Sequence, residues 1–222
     1  MHGSAHAPQR RIDTIDDVAA GVAALALIDA RLGAIIPGIG DVPLRRTEPG
    51  FASLASIIVS QQVSRASADA IFGRLERIVT PLSAANVLAG GGAPLVEAGL
   101  SRPKQAALLA AAEAVEAGAL DLLGLCDVAP EEALAQLTAV HGIGEWTAEV
   151  YLLFAAGHAD IFPAKDVALQ AAAADILGLA QRPDHDQLRV LSKSWTPWRG
   201  VAARLLWAHY RNLKGREAAP AA

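Results

Sequence analysis

Apolar residues recur along this chain at a spacing of three and four, the period of a helix that buries one face. The run from Thr14 to about Leu32 has that pattern behind Asp13-Thr14-Ile15-Asp16, a start that offers capping oxygens. Gly33 and the loop Ile-Ile-Pro-Gly-Ile-Gly-Asp-Val-Pro are expected to end it. A longer helix is predicted from Gly50 to Val79, stopped by Pro81, because its middle is too long for a strand. Gly90-Gly91-Gly92-Ala93-Pro94 reads as a break. Further helices are expected at about 104–117, 130–139, 145–156, 167–178, 184–193 and 198–213. No alternating segment of useful length suggests a strand. The pattern therefore predicts an all-α fold, two helical lobes with a cleft between them. Residues 1–12 are expected to be a disordered lead, 13–216 the folded domain, and 217–222 a disordered tail.

Composition narrows the class. Apolar residues make up 53% of the 222 and charged ones 19%, the balance of an ordinary globular chain rich in helix-forming alanine and leucine. The start lacks a signal-peptide core, and charges or turn residues interrupt every apolar stretch before it reaches membrane-spanning length, so a cytoplasmic protein is expected. The single cysteine, Cys126, excludes an internal disulfide and a four-cysteine iron–sulfur cluster. Net charge is −4, yet residues 181–216 carry eight Lys/Arg against two Asp. That segment is a candidate phosphate-facing surface, with a solvated helix face as the plain alternative.

The chemistry concentrates around residues 139–145. Helix, the tight turn His141-Gly142-Ile143-Gly144, and a second helix form a helix–hairpin–helix pattern. Glycines allow close backbone approach, and the N–H groups opening the second helix can grip a phosphate. Such a clamp reads backbone rather than bases and needs no lysine. Farther on, Pro163 precedes Asp166, which stands where a new helix starts, a place that favours a carboxylate.

These residues carry a resemblance. Leu137 to Ala148, followed by Asp160-Ile161-Phe162-Pro163-Ala164-Lys165-Asp166, resembles the helix–hairpin–helix–Gly/Pro/Asp superfamily of DNA glycosylases. Within it the chain is most similar to the bacterial 3-methyladenine DNA glycosylase II (alkylation-repair) branch, in a compact form without an N-terminal β-rich domain. Ser60-Gln61-Gln62-Val63-Ser64, Gly99 to Lys104 and Trp195 to Trp207 support it, in family order, so the likeness spans roughly Phe51 to Tyr210.

The resemblance implies a monofunctional glycosylase that flips an alkylated purine out of damaged double-stranded DNA and hydrolyses its N-glycosidic bond. Asp166 would stabilise the oxocarbenium-like sugar, while Trp146, Trp207 and Val150 line the base pocket, Val150 replacing a frequent tyrosine. Gly142, Gly144, Thr147, Gln62 and Arg199 would meet DNA, with Gln62 aligned to the intercalating wedge. Arg204 stands as a second phosphate contact or a solvated residue, Asp160 as a loop-stabilising group, and His158 as a surface residue. Backbone carbonyls of Thr138, Val140 and Gly142 would hold Na⁺ or K⁺; no other cofactor is implied. Relatives that cut the strand carry a lysine where Trp146 stands, so no Schiff base is expected. A monomer is expected. Open alternatives are a glycosylase for hypoxanthine or ethenoadenine and a non-catalytic helix–hairpin–helix DNA-binding module.

Overall fold

A computed structural model describes residues 10–215 and 219–220. Among these residues the sole β pairing is an isolated bridge between Arg11 and His158, and the fold is all-α. Helix α1 (Ile15–Ile28) starts at Thr14, whose hydroxyl accepts the Asp17 N–H while the Asp17 carboxylate takes the Thr14 N–H. The helix expected to reach Leu32 breaks at Asp29, which caps α2 (Ala30–Ile39) by accepting the Arg31 N–H. Residues placed in a loop, Pro37 included, thus belong to α2.

The predicted helix over 50–79 is two helices, α3 (Phe51–Ser60) and α4 (Arg65–Ile78). Between them Gln62 adopts φ +55°, and Ser64 caps α4 by accepting the Ser67 N–H. Apolar period alone missed this break because both segments bury faces of the same core. The glycine run is likewise no plain break: it separates the short α5 (Ala84–Gly90) and α6 (Gly92–Glu97). There follow α7 (Arg102–Glu116), α8 (Pro130–Thr138) and α9 (Glu145–Tyr151), the last continuing as a π turn, Leu152–Ala156. The chain closes with α10 (Val167–Ile176), α11 (His185–Ser192) and α12 (Arg199–Lys214).

Two groups of helices pack. In one, α1, α2, α10 and α12 surround a core that includes Trp195, Val201 and Leu205; in the other, α3 packs on α4, α7 and α9. The π turn is wholly buried between them. There Arg204 is also buried, donating to the carbonyls of Leu44, Gly200 and Leu153, so it is not a surface phosphate contact. No described helix is long and apolar enough to cross a membrane.

Residues 10–12 belong to the fold rather than to a disordered lead. Ile12 is fully buried and its N–H donates to the Gly157 carbonyl at 2.8 Å, while the Arg10 guanidinium lies 4.3 Å from the Trp198 ring centre. His158, expected at the surface, is buried with Nε2 at 2.8 Å from the Leu125 carbonyl. Residues 1–9 of the expected lead, and 216–218, 221 and 222 around the expected tail, lie outside the described residues. Ala219 and Pro220 are buried at the cleft.

Candidate active site

Pro163 and the tight turn behind it deliver Asp166 to the first position before α10, where its carboxylate caps the helix. Oδ1 accepts the N–H groups of Ala168 and Leu169 at 2.9 and 3.1 Å, and the Trp207 indole N–H at 3.3 Å. Oδ2 accepts the Trp146 indole N–H at 3.0 Å. All four of these partners are donors, so the ionised form is the one this cradle satisfies. Burial opposes it: desolvation pushes the Asp166 carboxyl above its ordinary range, and the indole and backbone donors pull it back only in part. An ionised carboxylate held so, with little water around it, exerts a strong field on any cation brought beside it.

Two cavities meet at this carboxylate. One, of about 630 Å³, lies between the two helix groups and is lined by Gln62, Trp146, Asp166, Val167, Tyr210 and Pro220, among others. The second, of about 570 Å³, runs from Asp166 and Lys165 to Gly142 and Gly144, with Gln61 and Gln62 on its rim. Trp146, half-buried, and exposed Gln62 therefore stand on the ridge shared by both. The first volume suits a flat heteroaromatic ring system.

The hairpin glycines differ in kind. Gly142 has φ +81°, and a Cβ there would stand 2.5 Å from the Ala107 methyl, so the fold itself demands glycine. Gly144 has no such constraint: a Cβ there would meet nothing within 4 Å. It caps α9 from an exposed position, and nothing inside the protein explains its bare backbone. Beside it, Glu145 is not a loose negative charge. Lys165 binds one of its oxygens at 2.8 Å and Arg189 the other.

Several expected site residues sit elsewhere. Trp207 and Val150 are buried and lie behind the cavities rather than on their walls, Trp207 acting on Asp166 through its N–H. Thr147, though largely buried, does line the hairpin cavity; its hydroxyl accepts the Gln61 amide at 2.8 Å. Arg199 does not face the cleft: its guanidinium grips both carboxylate oxygens of Asp160, at 2.8 and 2.9 Å. Asp160 thus ties the start of α12 to the loop before Asp166. Arg189, Arg199 and Arg204 are each paired within the protein, so these three cations of the basic segment are not held free for phosphate. Tyr210, on the wall of the cavity that Asp166 also lines, carried no sequence signal, since nothing in the sequence tells which face of α12 meets that cavity.

Comparison with known proteins bears on the family and the fold. A family model described as HhH-GPD superfamily base excision DNA repair protein matches residues 55–198. An alkylbase DNA glycosidase-like protein of Schizosaccharomyces pombe is 36% identical over 77 residues, covering 35% of this chain and 36% of that protein. The chain spans about a third of the length of the first curated relatives it matches. Among solved structures, a DNA-3-methyladenine glycosidase from Bacillus halodurans is 30% identical with a TM-score of 0.77, covering 96% of this chain and 97% of that one. A 3-methyladenine DNA glycosylase of S. pombe, solved with abasic DNA, shares the fold at a TM-score of 0.77 and 24% identity, over 89% and 96% of the two chains.

Proposed function

The chain belongs to the HhH-GPD superfamily of base excision DNA repair proteins, and from that premise we propose that it is a monofunctional DNA glycosylase for alkylated purines such as 3-methyladenine. The observation that carries this reading is a buried carboxylate ringed by N–H donors at the meeting point of a base-sized cavity and a glycine hairpin. In it, Gly144 and the first N–H groups of α9 hold a phosphate, and the target nucleotide turns out of the stack into the cavity. Gln62 fills the space it leaves.

A purine methylated at a ring nitrogen carries positive charge and departs as a neutral base, so the site needs no strong general acid. The bond from C1′ to the base nitrogen breaks, the ionised Asp166 stabilises the oxocarbenium-like sugar, and a water oxygen bonds to C1′ while its proton passes to Asp166 or solvent. The Trp146 π face on the cavity wall favours cationic bases. No amine stands at position 146. The one in the hairpin cavity, Lys165, is bound to Glu145, so no Schiff base is formed. Borohydride added to the protein with an abasic duplex should trap no covalent adduct, and an adduct would overturn this point.

The Thr138, Val140 and Gly142 carbonyls offer neutral oxygen donors, Val140 already accepting the Ile143 N–H at 3.1 Å. That donor set fits a weakly held Na⁺ or K⁺, which would add positive charge beside the phosphate. The test of the whole reading is chromatography of bases released from methylated DNA. Wild type should release 3-methyladenine and Asp166→Asn none, with DNA binding retained. Equal release by both removes Asp166 as the catalyst; release of deaminated or ethenoadducted bases alone would move the specificity to those lesions.

A further inference from the structure

Lys104 is a buried cation that none of the chemistry above uses. Its ammonium donates to the Val59 carbonyl at 2.7 Å, linking α7 to the end of α3. Carbonyls in a helix's last turn lack partners within the helix, so this one depends on an outside donor. Two residues on, the chain leaves α3, and Gln62 takes its left-handed φ, which in a non-glycine residue is strained and persists only where surroundings impose it. Gln61 is held from the opposite side by Thr147 of α9.

One turn farther along α7, on the same face, Ala107 lies against Gly142 of the hairpin. A single helix thus touches the base of the Gln61–Gln62 turn through Lys104 and the hairpin through Ala107. DNA sets the distance between a displaced base and its flanking phosphates, so a protein that engages both must fix the same distance within itself.

We propose that Lys104 is a positioning residue for base extrusion: through Val59 it holds the Gln62 turn at a set separation from the hairpin, with α7 as the spacer. The inference rests on the glycosylase reading and on Gln62 as the group that enters the stack. It follows that Lys104 matters where a base must be forced out of a duplex and little where the base is already unstacked.

The experiment compares wild type, Lys104→Met, Gln62→Ala and the double variant on one methylated oligonucleotide, as duplex and as single strand. Lys104→Met should lower release from the duplex by about tenfold to a hundredfold, the consequence of an unpaired buried carbonyl. Release from the single strand should fall by less than about threefold, and Lys104→Met should add little on the Gln62→Ala background, because the two act as one unit. Lys104→Gln, which keeps a donor, should fall between wild type and Lys104→Met, and serves in its place if that variant does not fold. A second readout needs no catalysis: 2-aminopurine beside a tetrahydrofuran abasic analogue should brighten on binding wild type, and much less with Lys104→Met. Equal losses on both substrates, additive effects, or unchanged brightening would each overturn the role of Lys104. Brightening by a wild type that releases no methylated base would instead overturn the alkylated-purine specificity and leave the role of Lys104 in base extrusion standing.

Discussion

At the scale of single residues, Asp166 sits between opposing forces, and they set a pH dependence. The proposed reaction needs the carboxylate, and burial raises its pKa against the pull of Trp146, the backbone N–H groups and Trp207. A raised pKa means that activity is present at high pH and is lost as pH falls through that value. The acidic limb of kcat/KM should therefore lie above the ordinary aspartate value of about 3.9. Trp146→Phe removes a donor to the ionised form and should move the limb upward, so the variant loses proportionally more activity at low pH than at high pH. An unmoved limb would show that the indole N–H does not tune the carboxylate. Asp166 was legible in the sequence as a helix-starting acid behind Pro163. Its indole partners were not legible in that role: Trp146 and Trp207 were expected to line the base pocket, and Trp146 does line the cavities, but both also donate to the carboxylate.

At the scale of elements, the hairpin divides its glycines between folding and contact. Gly142→Ala should destabilise the fold by about 2 kcal/mol or more, from the left-handed φ and the clash with Ala107. Gly144→Ala should change stability by less than about 1 kcal/mol. It should nonetheless weaken DNA binding by about tenfold, because the added Cβ stands where the phosphate would approach and holds it off the N–H groups, at the cost of about one hydrogen bond to a charged group. Thermal melts and binding titrations on the two variants check this; a parallel loss in both would deny Gly144 a contact role. Behind the hairpin, Glu149 of α9 is buried with Oε2 unpartnered among the described residues, and burial, with Glu145 nearby, pushes its pKa from 4.5 to about 8. The folded state then holds a proton that the unfolded state releases, so stability falls as pH rises from 4.5 to about 8. Glu149→Gln should raise the melting temperature, little near the lower limit and most above the upper one. A gain that does not vary with pH would mean that Glu149 is ionised in the fold.

At the scale of the molecule, charge decides how DNA binding responds to salt. The chain is net negative, and several cations of its basic segment are spent on Asp160, Glu145 and internal carbonyls. A clamp built on backbone N–H groups releases few counterions, so the slope of log K against log salt should be shallower than about −3, at roughly −0.9 per phosphate neutralised by a cation. A steep slope from a titration across salt concentrations would require a basic surface other than the one described. In the proposed function such a clamp lets an acidic chain meet a polyanion, because its field is local to the cleft and not a property of the net charge.

What the sequence by itself determined is what repeats or lies close along the chain. Helical period marked most helices, and the hairpin and the Asp166 turn could be read because their residues are neighbours and their chemistry is local. Breaks at Asp29 and Gln61–Ser64 escaped, since apolar period reports which face is buried and not whether the axis continues. Only the tertiary structure decided which side chains face the cleft. Arg204 turned inward and Tyr210 reached the cavity wall, because one residue of helix rotates a side chain by about 100°, and the packing of α12 against α1 and α10, through pairs far apart in sequence, sets the zero of that angle; the packing of α9 on α3 and α8 does the same for buried Val150.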